Sequence, residues 1–261
     1  MAQTTSERVD LGSNHLIAEK KDGILSVRID RPDRRNALTI EAYHGIKKAC
    51  VVAERDPEID LVLITGTGEY FCVGGEMGGK HEDSLPIDRF TDGLDLTPFV
   101  QIERCPKLVL LRINGMCQGG GLVMTLMGDI SIATDRAKFR VPELLRGVAD
   151  CYLGARLAPR IGVARAKYLL FTAQYFSAQE AYDMGLISRV VPHDQLDDAV
   201  AETIEHIRAT GPAARRALKR DINRNLPPID LGMFQDSLVG EECKEGFTSF
   251  VEKRPPRWPK I

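Results

Sequence analysis

The glycine-rich segment at residues 114–121 is the part of the sequence best suited to chemistry. It reads Asn-Gly-Met-Cys-Gln-Gly-Gly-Gly, follows the apolar run 108–113 and precedes the apolar stretch 122–127. This pattern predicts a strand, a tight turn and a helix, because glycine permits tight backbone turns and close approaches. The first amides of the helix, at the positive end of its dipole, would face an anion or an oxygen that becomes negative during a reaction. A turn that serves packing alone is the alternative interpretation.

A second glycine-rich segment, residues 65–79, follows another short apolar run at 61–64. Two such junctions at the ends of neighbouring strands could each give one backbone N–H to a single oxygen. This is the geometry of an oxyanion hole, in which the loss of one donor costs about 2.7–4 kcal/mol of transition-state stabilisation. The pair of junctions therefore favours a catalytic interpretation over two unrelated turns.

The elements that must position these junctions follow from hydrophobic periodicity and turn residues. Before residue 155 we first predict a hairpin in 15–29, with its turn at 21–23, and a helix from Thr39 to about Glu54 that has Tyr43 at one of its helical intervals. We then predict strands at 61–65, 108–113 and 129–134, helices near 98–104 and at 120–127, and an extended piece at 137–140. After it we predict helices at 155–172, 177–185, 194–209, 211–225 and 230–253, with an extended piece at 186–192. Strands that alternate with helices indicate an α/β fold with a parallel sheet, in which ligands bind at the carboxyl ends of the strands.

Four motifs in this order resemble those of the crotonase family, which contains the enoyl-CoA hydratases and isomerases. They are Arg-Pro-Asp-Arg-Arg-Asn-Ala-Leu at 31–38, Phe-Cys-Val-Gly-Gly-Glu at 71–76, the segment 114–121, and Val-Pro-Glu at 141–143. The resemblance runs from about residue 15 to the C-terminus. It implies a crotonase-like spiral of ββα units with a C-terminal helical trimerisation region. We accordingly expect a flexible N-terminal arm at 1–14, an α/β core at 15–195, and a helical region at 196–261 that forms a homotrimer or hexamer and covers the CoA site.

The resemblance also implies a reaction type and a set of binding residues. The family binds an acyl-CoA thioester with its carbonyl oxygen between two amides and stabilises an enolate; here the amides would belong to Gly75 and Gly120. CoA is then part of the substrate, and no separate cofactor or metal is expected. The loop-rich region 76–100 would shape the acyl pocket. The residues expected to contact the substrate or its CoA moiety are Arg34, Arg35, Ala37, Leu38, Val73, Glu76, Met77, Val123, Pro142, Phe250 and Lys253.

The acidic residues decide which reaction the site can run. The family's hydratases use two glutamates, of which the second corresponds to Glu143; the first corresponds to position 123, where this chain has Val123. Valine cannot transfer a proton. Asp150 could assist Glu143, although the spacing is one residue shorter than in relatives with a second acid there, or it could cap the helix that begins near Leu153. We therefore favour an isomerase-type proton shift with Glu143 as the base.

Other functions remain open from the sequence. Asp150 could replace the missing glutamate of a hydratase, and hydrolysis or ring opening of a ketoacyl-CoA would use the same enolate. A non-catalytic acyl-CoA binder is a further possibility. A dinucleotide-binding enzyme fits less well, because residues 115–121 do not match G-x-G-x-x-G.

Composition and charge argue against several other classes of protein. The chain has 261 residues, 43% of them hydrophobic, and a net charge of −2, which argues against nucleic acid as a partner. No apolar run is long enough for a membrane span, and the N-terminal residues carry no apolar signal core, so we expect a cytoplasmic location. The six cysteines form no C-x-x-C pair, so their spacing argues against a zinc site. Cys50 and Cys105 are expected to be core thiols.

Overall fold

A computed structural model of the chain describes residues 6–76 and 97–259; Met77 and the rest of the expected pocket loop up to 96 lie outside these ranges. The strands are β1 (Glu7–Arg8), β2 (Leu16–Lys21), β3 (Ile24–Ile29), β4 (Leu61–Gly66), β5 (Tyr70–Cys72), β6 (Leu108–Ile113), β7 (Met116–Gln118), β8 (Ile130–Thr134), β9 (Lys138–Arg140), β10 (Phe176–Ser177) and β11 (Arg189–Val191). The helices are α1 (Ile40–Arg55), α2 (Phe99–Arg104), α3 (Gly120–Met127), α4 (Cys151–Ile161), α5 (Val163–Thr172), α6 (Ala178–Asp183), α7 (Leu196–Arg208), α8 (Pro212–Asn223), α9 (Leu231–Val239) and α10 (Glu241–Val251).

The described strands form two sheets, and the chain passes back and forth between them. The larger sheet has the order β1-β2-β3-β4-β6-β8-β11, and the smaller has the order β10-β9-β7-β5. From β3 to β11 the strands of the larger sheet are parallel. Each of β4, β6 and β8 is followed by a short strand of the smaller sheet and then by a helix. This repetition is the spiral of ββα units that the resemblance implies, and the mixed α/β class is confirmed.

The hairpin and the first long helix form where their local residues predict. β2 and β3 pair antiparallel around Asp22 and Gly23, which both have positive φ, as a two-residue hairpin turn requires. Helix α1 begins after Thr39, whose hydroxyl oxygen accepts a hydrogen bond from the N–H of Ala42 at 3.2 Å. This cap sets the direction in which α1 leaves the glycine-containing turns.

Helix α3 is the central helix of the core. Its residues from Gly121 to Met127 are all buried, as expected for a helix that is apolar on every side. Arg160 of α4 donates hydrogen bonds to the last-turn carbonyls of Thr125 and Leu126 at 3.3 and 2.9 Å. These bonds satisfy acceptors that a helix C-terminus otherwise leaves unpaired, so α3 is fixed at the end opposite its glycines.

Three segments differ from the sequence-based expectations. The helix expected at 155–172 is divided into α4 and α5 at Gly162, which has a φ of +84°. The helix expected at 230–253 is divided into α9 and α10 at Gly240, where the backbone is extended. In the expected flexible arm 1–14, residues 7–8 form β1 against β2, and Leu11 is 5% exposed. Within 6–14, β1 and Leu11 are therefore attached to the domain, although most of the other residues of this segment are exposed.

Two further features bear on function. Within the ranges 6–76 and 97–259, no helix combines the length and apolarity needed to cross a bilayer. All six cysteines are buried free thiols, as expected for Cys50 and Cys105.

Candidate active site

At the first glycine junction, the backbone N–H of Gly75 points away from the adjacent segment that contains Leu38. Leu38 N–H donates to the carbonyl of Gly74 at 2.8 Å, and Glu76 N–H donates to the carbonyl of Leu38 at 2.9 Å. In this parallel bridge the neighbours of Gly75 supply the bonding groups, so its own N–H points to the opposite side. The amide of Gly75 is thus available to an external acceptor.

The second junction places Gly120 at the first position of α3. An amide in the first turn of a helix has no acceptor within the helix, and the preceding Gly119 supplies no side-chain cap. A Cβ atom added to Gly74 would lie 3.2 Å from the nitrogen of Gly120, and Gly74 also has a φ of +97°. Only glycine at position 74 therefore leaves this amide uncovered, and the two junctions meet backbone to backbone.

Buried asparagines hold the turn that leads to the first junction. The side-chain amide of Asn36 donates to the carbonyls of Thr67 and Tyr70 at 2.9 and 2.7 Å. The side-chain amide of Asn114 donates to the carbonyls of Gly68 and Tyr70 at 2.6 and 3.1 Å. Both side chains converge on residues 67–70, so the motif at 31–38 and the motif at 114–121 fix the same turn.

Glu143 lies beside this pair of junctions. It begins the short 3-10 turn Glu143–Arg146 after β9, and its Oε1 atom is 3.3 Å from the position of a Cβ on Gly119. Its Oε2 atom is buried and has no hydrogen-bond partner within the described ranges; Gln118 Oε1 is in the same condition. Because a buried polar atom without a partner is unfavourable by about 1–3 kcal/mol, these two atoms mark a place where a ligand would supply the missing contacts.

The environment of Glu143 raises its proton affinity. Burial, and then the negative charge of Asp150, raise the pKa of Glu143 to about 8. Burial also raises the pKa of Asp150 to about 6, against the opposing hydrogen bonds from the amides of Leu153 and Tyr152. A carboxyl group with a pKa near neutrality can both accept and return a proton at physiological pH.

Asp150 has the capping role considered for it from the sequence and lies near Glu143, while its assistance in the reaction stays a prediction. It caps α4 by accepting a hydrogen bond from the N–H of Leu153 at 2.9 Å, and it lies close enough to Glu143 to raise that residue's pKa. Val123, in contrast, is fully buried within α3. Position 123 therefore contributes a buried apolar side chain and no acid.

The expected CoA contacts divide into an exposed group and a buried group. Arg34 and Arg35 are exposed, with the Arg35 guanidinium 5.8 Å from the ring centre of Tyr70. Phe250 of α10 is 55% exposed and lies 3.9 Å from the Arg146 guanidinium, and Lys253 is exposed just beyond it. These four side chains are accessible to a ligand.

The buried group makes contacts that support the first junction. Arg31 donates to the carbonyl of Ala37 at 3.0 Å and forms an ion pair with Glu76 at 2.7 Å. Leu38 is fully buried, and both its backbone groups are bonded around Gly75. The structure thus gives Ala37, Leu38 and Glu76 a framework function that was not expected from the sequence.

Two other expected residues adjoin the second junction. The carbonyl of Val73 accepts a hydrogen bond from the side-chain amide of Gln118 at 3.5 Å and is 3.6 Å from the Cβ position of Gly119. Pro142 immediately precedes Glu143 and begins its turn. Met77 lies outside the described residues.

Sequence reasoning missed three residues of this region, namely Tyr43, Gly74 and Gln118. The helical spacing marks Tyr43 only as a core-facing residue of α1, but its hydroxyl is 2.8 Å from the Cβ position of Gly120. Gly74 and Gln118 belong to the quoted motifs, and nothing in their spacing distinguishes them from turn residues. The three contacts depend on how separate elements meet in space.

The spiral of ββα units, with two glycine junctions that meet beside a buried carboxyl group, defines a crotonase-type protein. Residues 19–260 match the family model described as enoyl-CoA hydratase/isomerase, and the chain belongs to this family.

Relatives and solved structures agree with this assignment over nearly the whole chain. A crotonyl-CoA hydratase of Syntrophomonas wolfei is 32% identical over 250 residues, covering 92% of this chain and 96% of the relative. A short-chain-enoyl-CoA hydratase of Clostridium acetobutylicum is 32% identical with the same coverage. The crystal structure of an enoyl-CoA hydratase/isomerase from Pseudoalteromonas atlantica superposes with a TM-score of 0.81 at 26% identity, covering 94% of this chain and 100% of that one.

Proposed function

We propose that the protein is an acyl-CoA enzyme that forms a thioester enolate and moves a proton between two carbon atoms, with Glu143 as its single base. The observation that carries the proposal is the buried, unpartnered Glu143 oxygen next to the glycine junctions, combined with an apolar Val123 where a second acid would stand.

In the proposed reaction, the thioester carbonyl of a 3-enoyl-CoA accepts hydrogen bonds from the amides of Gly75 and Gly120. Glu143 removes a proton from the α carbon, and the electron pair moves onto the thioester oxygen as a conjugated enolate. The same carboxyl group then delivers the proton to the γ carbon, and the double bond ends between the α and β carbons. Atoms and charge balance with one carboxyl group, so the reaction needs no acid at position 123.

The rest of the substrate would be CoA, and no other cofactor is needed for this reaction. Arg34 and Arg35 are suited to its phosphate groups, since arginine pairs well with phosphate oxygens. We also propose the homotrimer or hexamer that the resemblance implies. The exposed side chains of Val163, Tyr168 and Phe171 on α5, which are 57–71% exposed, offer an apolar face that such an assembly would cover.

Hydration of a 2-enoyl-CoA is the second candidate. It is supported by the hydratase names of the relatives from Syntrophomonas wolfei and Clostridium acetobutylicum, and by the electrostatic coupling of Asp150 to Glu143. In this reaction Asp150 would have to act on the water molecule or the proton that the missing glutamate handles in the family's hydratases. Hydrolysis of a ketoacyl-CoA and non-catalytic acyl-CoA binding remain the other outcomes to be tested.

The deciding experiment follows the products formed from 3-enoyl-, 2-enoyl- and 3-ketoacyl-CoA substrates. We expect conversion of the 3-enoyl thioester to be fastest, and we expect Glu143→Gln to lower kcat about 10³-fold or more while CoA binding, measured by calorimetry, persists. Glu41→Gln, at an exposed position of α1, is the control and should behave as the wild type. Near-normal turnover by Glu143→Gln would eliminate the proposed base, and faster hydration than isomerisation would favour the second candidate. Binding of CoA with no turnover of any substrate would indicate a binding protein.

A further inference from the structure

Tyr43 brings a hydroxyl group to the glycine junction from a separate element. It lies on the second turn of α1, and its side chain is 4% exposed. A Cβ atom on Gly120 would meet the Tyr43 hydroxyl oxygen at 2.8 Å and Phe99 Cζ at 3.5 Å. The tyrosine hydroxyl therefore occupies the space directly beside the residue whose amide begins α3.

The ring of Tyr43 is held in place by aromatic contacts. It packs edge-on against Phe99, with ring centres 5.9 Å apart, and Phe99 packs in turn against Tyr152 at 5.0 Å. The hydroxyl of Tyr152 is hydrogen-bonded to Thr97 at 3.2 Å. The hydroxyl of Tyr43, by contrast, is directed at the glycine junction, where it lies 2.8 Å from the Cβ position of Gly120.

The hydroxyl shares the electrostatic environment of the proposed base. Burial raises the pKa of Tyr43 well above its ordinary value, and the nearby Cys72, Asp150 and Glu143 raise it further. Tyr43 thus remains protonated at any pH at which the protein would act. A neutral hydroxyl of this kind can donate a hydrogen bond and does not compete with Glu143 for the substrate's proton.

We propose that the Tyr43 hydroxyl contacts the substrate as a third hydrogen-bond donor to the negative charge that develops on the acyl thioester, beside the amides of Gly75 and Gly120. Tyr43 is then a further catalytic residue of the enolate-forming reaction, and this inference rests on the proposed function. The donor stabilises charge without giving up its proton, so the proton balance of the reaction is unchanged.

The test compares Tyr43→Phe with Tyr152→Phe. Both variants remove one hydroxyl from the same aromatic cluster, but the Tyr152 hydroxyl already has a protein partner. Three quantities are measured. They are kcat and KM with the enoyl-CoA that the wild type converts, and the pKa at which a bound 3-ketoacyl-CoA forms its enolate, followed by near-ultraviolet absorbance. For Tyr43→Phe we expect kcat to fall about 10- to 100-fold with KM changed less than about threefold, and the enolisation pKa to rise by about one unit or more. For Tyr152→Phe, kcat and KM should each change less than about threefold, and the enolisation pKa should change by less than about half a unit.

Each result bears on a distinct claim. An unchanged enolisation pKa in Tyr43→Phe would overturn the inference even if kcat fell, because a purely structural role lowers activity without a specific effect on the bound enolate. Equal shifts in the two variants would also overturn it. A wild type that converts no enoyl-CoA would refute the proposed reaction, while the titration of the bound 3-ketoacyl-CoA would still decide whether Tyr43 donates to the enolate.

Discussion

At the scale of single residues, the two carboxyl groups at 143 and 150 determine the protonation behaviour of the site. They share one buried region, so the proton affinity of each depends on the charge of the other. Asp150 has the lower pKa and is ionised first as pH rises. Its charge then holds a proton on Glu143 to a higher pH than burial alone would.

Replacing Asp150 with asparagine should shift the pH profile of the enzyme to lower pH. A base is active when deprotonated, so kcat/KM of the wild type should rise with pH up to about 8, the pKa of Glu143. Asparagine removes the negative charge that raises this pKa but still caps α4. The measurement is kcat/KM between pH 5.5 and 9.5; a midpoint that stays in place or moves upward in Asp150→Asn would contradict the coupling.

Gly74→Ala should lower activity because its new methyl group would cover the backbone amide of Gly120. The new methyl group would lie 3.2 Å from the nitrogen of Gly120, so it would obstruct access to that donor. Gly68→Ala is the matched control, since Gly68 also has positive φ but its nearest neighbour is 3.9 Å away. We expect both variants to lose stability on the order of 1 kcal/mol from backbone strain. Only Gly74→Ala should lose about 100-fold in kcat/KM, and equal kcat/KM losses in both would attribute the effect to strain alone.

At the scale of elements, helix α10 packs directly on the turn that carries Glu143. A Cβ atom on Gly246 would overlap the backbone of Arg146, and a Cβ atom on Gly147 would overlap the backbone of Glu242. Two glycines therefore allow the helix and the turn to touch at the main chain, and the stacking of Phe250 on Arg146 adds to this contact. The position of the proposed base depends on the C-terminal helix.

We expect Gly246→Ala to displace α10 from this turn. Alanine is normally favoured over glycine inside a helix by about 0.8–1 kcal/mol, but here the methyl group has no space. Gly154→Ala in α4 is the control, because a Cβ there meets nothing within 4 Å, and it should be neutral or stabilising. Thermal unfolding and kcat/KM of the two variants are compared. A Gly246→Ala variant as stable and active as Gly154→Ala would show that the contact does not position Glu143.

Local sequence patterns predict some elements well and others poorly. The strands β4, β6 and β8 and the cap at Thr39 follow from apolar runs and a hydroxyl at a helix start. The breaks at Gly162 and Gly240 were missed because a single glycine inside a helical pattern is often tolerated, and only tertiary packing decides. In the smaller sheet only β9 was expected, as the extended piece at 137–140; the strands β5, β7 and β10 have two or three residues each and are too short for an alternating pattern to identify them.

In the candidate site, too, local sequence patterns predict some residues and not others. The glycine junctions can be recognised from spacing, since both follow apolar strands. Glu143 was identified only through the family resemblance, because no local pattern relates it to Gly75 or Gly120. Tyr43 could not be identified, since a tyrosine at a helical interval looks the same whether its hydroxyl meets core or substrate.

At the scale of the whole molecule, a buried ion pair fastens α8 to the larger sheet. The ammonium group of Lys219 lies 2.6 Å from Asp129 and also donates to the carbonyl of Lys107 at 3.0 Å. Asp129 accepts a further hydrogen bond from the amide of Val109, at the start of β6, at 2.7 Å. Both side chains are largely buried, so water solvates neither charge well and each depends on the other for compensation.

Lys219→Met should destabilise the fold strongly. Removing one partner leaves the other charge buried and uncompensated, which typically costs about 3–5 kcal/mol. Lys244→Met is the control, because Lys244 pairs with Glu241 on the exposed surface at 2.9 Å and such pairs contribute at most about 1 kcal/mol. Urea unfolding at fixed protein concentration compares the two free energies of unfolding. Similar values would show that the pair does not hold α8.

Because every thiol is buried, the reactivity of the native cysteines can be used to detect opening of the core. All six cysteines are at most 3% exposed, and burial raises the pKa of the Cys72 and Cys151 thiols to about 12. Alkylating or disulfide-exchange reagents act on thiolates that they can reach, so the folded chain should resist them. The rate of label uptake then measures how often the core opens, residue by residue, without any probe being introduced.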